Sequence, residues 1–215
     1  MPLLHTHQPA SDVCLGIWKI TESIDELKLL CQHSPQLYTI IDSIGHQHRK
    51  REILAIYALL MELTQQPHLI IQHDEYRRPI IEGYNISISH TKEYASIILS
   101  KEKRVAVDIE YMSNRVEKIV SKFIRNDEMV PTLLHKLINW CSKETCYKFF
   151  YKSGLQYHDM KVVFTDDAGI NKAVTDVNTT VDNLNAIVVE NLKDKMQIPI
   201  YSMITPQYIL TYTFS

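Results

Sequence analysis

Apolar residues recur along this chain in short segments with either a strand-like or a helix-like period. Residues 13–20 have the composition of a strand, and Ser23 with Glu26 three residues later is a capping box that begins a short helix. From residue 48 to residue 63, apolar residues recur at helical spacing and predict a long helix. Four more strands are predicted in this half, at residues 68–72, 84–89, 94–100 and 104–109.

The second half of the chain has the same mixture of helices and strands. Residues 114–124 have a helical pattern, and Pro131 fits the first turn of a longer helix that ends near residue 151. Strands are then predicted at residues 160–165, 184–190, 198–203 and 208–214. Residues 101–103 are predicted to be a hairpin turn that joins the strands at 94–100 and 104–109. We therefore expect an N-terminal subdomain at residues 1–104 and a C-terminal subdomain at residues 105–215.

Charge and composition argue against several classes of protein. The 215 residues include 23 Lys and Arg against 25 Asp and Glu, and a net charge of −2 is unusual for a general nucleic-acid or membrane-surface binder. No apolar stretch reaches the roughly 18 residues of a membrane span, and the first residues lack the pattern of a signal peptide. The four cysteines lack metal-site spacing and fit reduced thiols. We expect a cytoplasmic protein with no nucleic-acid or membrane partner and a frayed N-terminus around His5 and His7.

Three acidic residues lie in two short strings with regular spacing. In the string VAVDIE at 105–110, Asp108 and Glu110 leave the same face of a predicted strand. In the string WCSKETCYK at 140–148, Trp140, Glu144 and Lys148 share one face of a predicted helix. Carboxylates on rigid elements are the ligands that Mg²⁺ prefers, and phosphate groups of a substrate usually complete its coordination. The two strings therefore predict a magnesium site made of Asp108, Glu110 and Glu144.

These strings resemble motifs of the 4′-phosphopantetheinyl transferases, of the longer type that activates surfactin synthetase. The family pattern [VI]-G-[VI]-D-[IV]-E resembles residues 105–110, and W-x-x-K-E-[AS]-x-x-K resembles residues 140–148. A third pattern, F-N-[LI]-S-[HS]-S, resembles residues 84–91 with looser spacing, and the resemblance covers residues 46–150. Ala106 replaces the family's glycine, and Tyr57 replaces an arginine of the long helix. The resemblance implies an α+β fold of two similar α/β subdomains related by a pseudo-twofold, in a monomeric chain.

The resemblance also implies a reaction and a set of site residues. Such enzymes transfer the 4′-phosphopantetheine arm of coenzyme A to a serine of an apo acyl or peptidyl carrier protein, with Mg²⁺, and release 3′,5′-ADP. Asp108, Glu110 and Glu144 would hold the metal, and the catalytic residues would be Glu144, Lys148 and Asp108. The residues implied to bind coenzyme A are Arg49, Arg51, Arg78, Ser89, His90, Lys143 and Lys148.

Two other functions remain open at this point. Acids and a lysine around Mg²⁺ also cut phosphodiesters in nucleases, although the net charge of −2 disfavours a DNA substrate. A non-catalytic relative that binds coenzyme A or a carrier protein is the other alternative, and Tyr57 and Ala106 are the features that favour it. Lys118, Lys122 and Arg125 are candidates to contact an acidic carrier protein.

Overall fold

The structure, a computed structural model, describes residues 3–165 and 181–215. The chain divides into two compact units, Met1–Val105 and Ala106–Ser215. Each unit combines an antiparallel sheet with packed helices, so the fold belongs to the α+β class.

The N-terminal unit is built on a four-stranded antiparallel sheet. The strands of the whole unit are β1 (Leu3–Ala10), β2 (Val13–Lys19), β3 (Gln72–His73), β4 (Pro79–Ile80), β5 (Asn85–Thr91) and β6 (Tyr94–Ser100). Its helices are α1 (Ile24–Leu30), α2 (Pro35–Asp42) and α3 (Gln47–Thr64). The main sheet has the order β1-β2-β6-β5, while β3 and β4 pair only with each other. The predicted capping box is confirmed, because Ser23 and Glu26 bond each other's backbone at the start of α1.

The long helix α3 packs against this sheet at short range. Its buried face includes Leu54, Leu59 and Leu60, which join the apolar residues of the strands in one core. On β2, a Cβ atom at Gly16 would lie only 2.8 Å from the side chain of Leu59. Glycine at this position therefore allows the helix to approach the strand closely.

The structure corrects three predictions for this half of the chain. The predicted hairpin at residues 101–103 is wrong: β6 already pairs with β2 and β5, and the next strand joins the other sheet. The turn is instead fixed by Asp12 and Ser100, which accept its backbone N–H groups. The predicted frayed N-terminus is a strand, β1, paired with β2. The predicted strand at 68–72 is reduced to β3, while α2 was not predicted at all.

The C-terminal unit is built on a five-stranded sheet with the order β7-β11-β10-β9-β8. Its strands are β7 (Val105–Tyr111), β8 (Met160–Phe164), β9 (Val181–Asn191), β10 (Met196–Ile204) and β11 (Tyr208–Phe214). Its helices are α4 (Val120–Phe123) and α5 (Leu133–Phe149), with 3₁₀ helices at Asn114–Ile119 and Tyr157–Asp159. The helix predicted to open at Pro131 begins at Leu133, because Thr132 caps it by accepting the N–H of His135.

Helix α5 lies on the sheet of this unit and carries much of its core. Ile138, Cys141 and Phe149 from the helix are buried together with apolar residues of β8 to β11. The hydroxyl of Thr145 donates to the backbone carbonyl of Thr211 on β11, which fixes the rotation of the helix about its axis. In the described part of the chain, no helix has the length and apolar character needed to cross a membrane.

Candidate functional site

The two motif strings lie on β7 and α5, both in the C-terminal unit. Asp108 and Glu110 are two residues apart on β7, and Glu144 and Lys148 are one turn apart on α5. Asp108 is 5 % exposed, whereas Glu110 and Glu144 are half-buried. The charges of Asp108 and Glu110 both raise the pKa of Glu144, so the three carboxylates lie within electrostatic range of each other.

Lys148 forms an ion pair with Asp108. Its Nζ donates to Oδ1 of Asp108 at 2.8 Å and to the backbone carbonyl of Val107 at 2.9 Å. The ammonium is partly exposed, while the carboxylate is buried. This bond joins α5 to β7.

Trp140 donates its indole N–H to Oε1 of Glu110 at 3.1 Å. The indole ring also contacts Phe123 edge-on, with ring centroids 5.1 Å apart. From the sequence, Trp140 was predicted only to share one helix face with Glu144 and Lys148. In the structure it holds one of the three carboxylates by a hydrogen bond, while its ring remains packed in the core.

Tyr157 donates its hydroxyl hydrogen to Oε1 of Glu144. Burial raises the pKa of Glu144 first, and the nearby charge of Asp108 raises it further, whereas the bond from Tyr157 lowers it. The net effect is a raised pKa for this carboxyl group. Burial and the bond to Glu144 likewise raise the pKa of the Tyr157 phenol, which therefore stays a donor at neutral pH.

A divalent cation fits this group of residues by charge and by donor chemistry. Three carboxylates and the single ammonium of Lys148 leave a formal charge of −2 when all are ionised. The donors are all carboxylate oxygens, which suit Mg²⁺ better than a softer metal. The group, Asp108, Glu110, Glu144 and Lys148, is called the acid cluster below.

The acid cluster is nevertheless not assembled around one point. Among residues 3–165 and 181–215, no set of three or more His, Cys, Asp or Glu side chains has the arrangement of a metal site. The carboxylates are instead turned toward three different donors, Lys148, Trp140 and Tyr157. A shared cation would therefore have to bind carboxylate oxygens that these bonds do not engage, or displace Lys148 and Trp140 as donors.

A cavity of about 320 Å³ opens beside Glu110 in the same unit. Its apolar wall includes Val116, Ile119, Leu137 and Trp140, and its charged lining includes Glu110, Arg115 and Lys118. An apolar wall with nearby cations suits a ligand that has both an apolar part and a negative charge.

The expectation that Lys143 binds coenzyme A does not agree with its position. Lys143 is fully buried, and its Nζ donates to Oε2 of Glu128 at 2.8 Å and to the carbonyl of Phe123 at 2.6 Å. Burial lowers the pKa of this lysine, while Glu128 opposes that shift. The other oxygen of Glu128 accepts the N–H of Val162 on β8, so the pair joins three segments of the unit.

Arg49 and His90 come together in the N-terminal unit, on α3 and β5. Arg49 Nη1 lies 2.9 Å from His90 Nε2 and 3.0 Å from Glu52 Oε2. Because a guanidinium can only donate, His90 Nε2 is the acceptor, and the ring carries its proton on Nδ1. That Nδ1 lies 3.3 Å from the other oxygen of Glu52.

A cavity of about 360 Å³ adjoins this pair. It is lined by Ile40, Arg49, Ile53, Ile56, Tyr57, Ile71, His73, Arg77, Pro79, Ile88 and His90. The buried hydroxyl of Tyr57 accepts the N–H of Ile71, and the side chain of Tyr57 forms part of the wall of the cavity. Arg77 also lines this cavity, whereas the residue predicted from the sequence to bind coenzyme A was its neighbour Arg78.

The other residues implied to bind coenzyme A have local partners in this unit. The guanidinium of Arg51 donates to the carbonyls of Ile20 and Glu22. Arg78 pairs with Asp74 at 3.2 Å, in a turn that Asp74 also holds through backbone N–H groups. Ser89 is buried on β5. Of the predicted set, the structure therefore brings only Arg49 and His90 to this cavity.

Comparison with known proteins adds no family to these observations. No protein-family model matches the sequence, and no curated protein matches it at a significant level.

Proposed function

We propose that this protein is a 4′-phosphopantetheinyl transferase that modifies a serine of an apo acyl or peptidyl carrier protein, with coenzyme A as the donor. The observation that carries the proposal is the acid cluster on β7 and α5. Three carboxylates and a lysine within electrostatic range of each other suit the neutralisation and transfer of phosphoryl groups.

In this proposal, Asp108, Glu110 and Glu144 hold Mg²⁺. When bound, the ion would neutralise negative charge on the pyrophosphate of coenzyme A. Lys148 would leave Asp108 and donate a hydrogen bond to a phosphate oxygen, where charge increases during transfer. Glu144 would accept the proton of the attacking serine hydroxyl, directly or through a water.

The cavity beside Arg49 and His90 supports coenzyme A as the donor. Its volume of about 360 Å³ and its isoleucine-rich wall suit a purine ring. Arg49 and Arg77 would pair with the 3′-phosphate of the nucleotide. Glu52 offsets the charge of Arg49, so an anion at this cavity would depend on Arg77 for a net positive surrounding.

The cavity beside Glu110 supports a carrier protein as the acceptor. Carrier proteins present an acidic helix, and Arg115 and Lys118 are the cations that line this cavity. Lys122 on α4 would extend the basic surface, whereas Arg125 is paired with Asp127 at 2.8 Å. The remaining expectations are also part of the proposal: a monomer, no nucleic-acid partner, and two units related by a pseudo-twofold. The last is supported by the presence of one long helix and one antiparallel sheet in each unit.

The test is incubation of the protein with coenzyme A, Mg²⁺ and an apo carrier protein. Mass spectrometry should show the carrier gaining one phosphopantetheine group per chain. Asp108→Ala and Glu144→Ala should abolish this gain while the circular dichroism spectrum stays unchanged. Glu117→Ala is the matched control, because Glu117 is an exposed acid of the same unit, paired only at the surface with Lys136. Full activity in both cluster variants would refute the assignment.

The two alternatives give different results in the same set of assays. A nuclease would cleave a plasmid in the presence of Mg²⁺ and leave the carrier protein unmodified. A non-catalytic binding protein would be stabilised against heat by coenzyme A, would keep that stabilisation in Glu144→Gln, and would show no turnover with any carrier. Turnover by the unmodified chain would exclude the second of these.

A further inference from the structure

Two aromatic side chains connect two of the three carboxylates of the acid cluster. Trp140 donates to Glu110, and Tyr157 donates to Glu144. The two rings also contact each other, with centroids 5.2 Å apart. Tyr147 contacts the ring of Tyr157 at 6.2 Å. The ring of Tyr157 thus contacts two rings of α5.

Tyr157 comes from a part of the chain that none of the motif strings include. It opens the 3₁₀ helix Tyr157–Asp159, just before β8. This short helix is tied down by Asp159, whose carboxylate accepts the N–H of Gln156 and pairs with Lys193 at 2.8 Å. Tyr157 is therefore fixed by its own segment as well as by the aromatic contacts.

The hydrogen bond from Tyr157 has a physical reason in the charges around Glu144. Glu144 faces the like charges of Asp108 and Glu110, and Lys148, whose charge also acts on Glu144, is bonded to Asp108. A glutamate side chain has several rotatable bonds, so repulsion from two carboxylates would turn it away from them. The hydrogen bond from Tyr157 opposes that movement. It engages Oε1 only, so it leaves Oε2 able to bind a cation.

We infer that Tyr157 is a positioning residue that holds Glu144 beside Asp108 for binding of a divalent cation. This inference rests on the proposed function, because it assigns the acid cluster to a metal. Tyr157 acts through Glu144 and needs no contact with the substrate. Donors that orient metal ligands typically change metal affinity by about 10- to 100-fold when they are removed.

The test measures Mn²⁺ affinity by the electron paramagnetic resonance signal of free Mn²⁺, without coenzyme A or carrier protein. Tyr157→Phe removes the donor and keeps the ring, so its Kd for Mn²⁺ should rise by about 10-fold. Tyr147→Phe is the matched control, since it removes the hydroxyl of a largely exposed tyrosine from the same aromatic group. Its Kd should equal that of the unmodified chain.

A double-mutant cycle separates positioning from a general effect on the fold. If Tyr157 acts through Glu144, adding Tyr157→Phe to Glu144→Gln should cause no further loss of Mn²⁺ affinity. An equal additional loss in that background would overturn the inference. A Kd within twofold of the unmodified value in Tyr157→Phe, or a tighter one, would also overturn it. Thermal unfolding of each variant checks that the fold is retained.

Failure of the inference can be distinguished from failure of the proposed function. If the unmodified chain modifies a carrier protein and Tyr157→Phe binds Mn²⁺ as tightly, only the part assigned to Tyr157 is wrong. If the unmodified chain neither binds Mn²⁺ nor modifies any carrier protein, the metal assignment of the acid cluster is wrong, and the inference is overturned with it.

Discussion

At the scale of single residues, Lys148 shows how one side chain can serve two states of a site. In the present structure its ammonium neutralises Asp108, a buried carboxylate that would otherwise carry a large desolvation cost. In the proposed reaction a divalent cation takes over that neutralisation, and the lysine becomes available to a phosphate group. In this proposal the charge of Lys148 would first neutralise Asp108 and then assist the transfer.

The first prediction concerns this lysine. Lys148→Ala should slow phosphopantetheine transfer by ~10²-fold or more, because a preorganised charge near the developing phosphate charge is lost. The measurement is the initial rate of carrier modification at saturating coenzyme A. Lys136→Ala, on the same helix but paired at the surface with Glu117, should react at the normal rate. An unchanged rate in Lys148→Ala would assign the lysine to a structural ion pair alone.

The second prediction concerns the cavity of the N-terminal unit. Arg49→Ala should weaken binding of coenzyme A, because it removes the guanidinium beside His90. The loss should be smaller for dephospho-coenzyme A, which lacks the 3′-phosphate. Isothermal titration with both ligands measures this difference. Equal losses for the two ligands would mean that Arg49 does not contact the 3′-phosphate.

At the scale of elements, the adjacent residues Lys143 and Glu144 of α5 have different surroundings, because Lys143 is buried in an ion pair with Glu128. Successive residues of a helix are rotated by roughly 100° from each other. Glu144 therefore faces the acid cluster, whereas Lys143 faces the interior beside α4 and β8. Glu128 also accepts the N–H of Arg125 and of Val162, so the pair satisfies backbone donors that would otherwise be buried without partners.

The third prediction follows from this burial. Lys143→Met should lower the free energy of unfolding by roughly 3–5 kcal/mol, because it leaves the carboxylate of Glu128 buried without its cation. Lys136→Met removes an exposed ion pair from the same helix and should cost less than about 1 kcal/mol. Urea unfolding followed by circular dichroism measures both variants. Similar losses in the two would show that the buried pair is not a main contributor to stability.

The elements also show which parts of the fold could be predicted from the sequence. Helices α3 and α5 could be predicted because apolar residues recur at helical spacing along both segments of the sequence. The hairpin at 101–103 was predicted wrongly because turn residues indicate a reversal but not which strand pairs with which. One partner of β6 is the preceding strand, β5, whereas the other, β2, comes from a distant part of the chain.

For the site, the sequence indicated the acids but not the donors that hold them. Asp108, Glu110 and Glu144 could be selected because their spacing places them on predictable faces. Tyr157 could not be found in this way, since its hydrogen bond depends on the path of a short 3₁₀ helix. The burial of Lys143 depends on Glu128, in a loop without periodic pattern.

At the scale of the whole molecule, both hydrophobic cores contain buried cysteine thiols. Cys14, Cys31, Cys141 and Cys146 are all free, and burial raises the pKa of Cys31 and of Cys146 to about 12. A raised thiol pKa means that the folded chain holds its protons at a pH where the unfolded chain loses them. These thiols therefore favour the folded state below their ordinary pKa, and that contribution decreases as the pH rises toward 12.

The fourth prediction concerns the chemical reactivity of these buried thiols. With a disulfide-exchange reagent at pH 8, the native protein should react rapidly at no more than one thiol, the partly exposed Cys14. All four thiols should react after denaturation, which serves as the control. Rapid reaction of two or more thiols in the native protein would mean that at least one of the two cores opens easily.

The most direct measurement of the central claim is a crystal structure with coenzyme A and Mn²⁺ as the substitute for Mg²⁺. We expect one anomalous peak at metal–oxygen distances of roughly 2.1 Å from Asp108, Glu110 and Glu144. The pyrophosphate of coenzyme A should contact the same ion. Ordered coenzyme A with no ion at these carboxylates, and with Asp108 still bonded to Lys148, would contradict that claim.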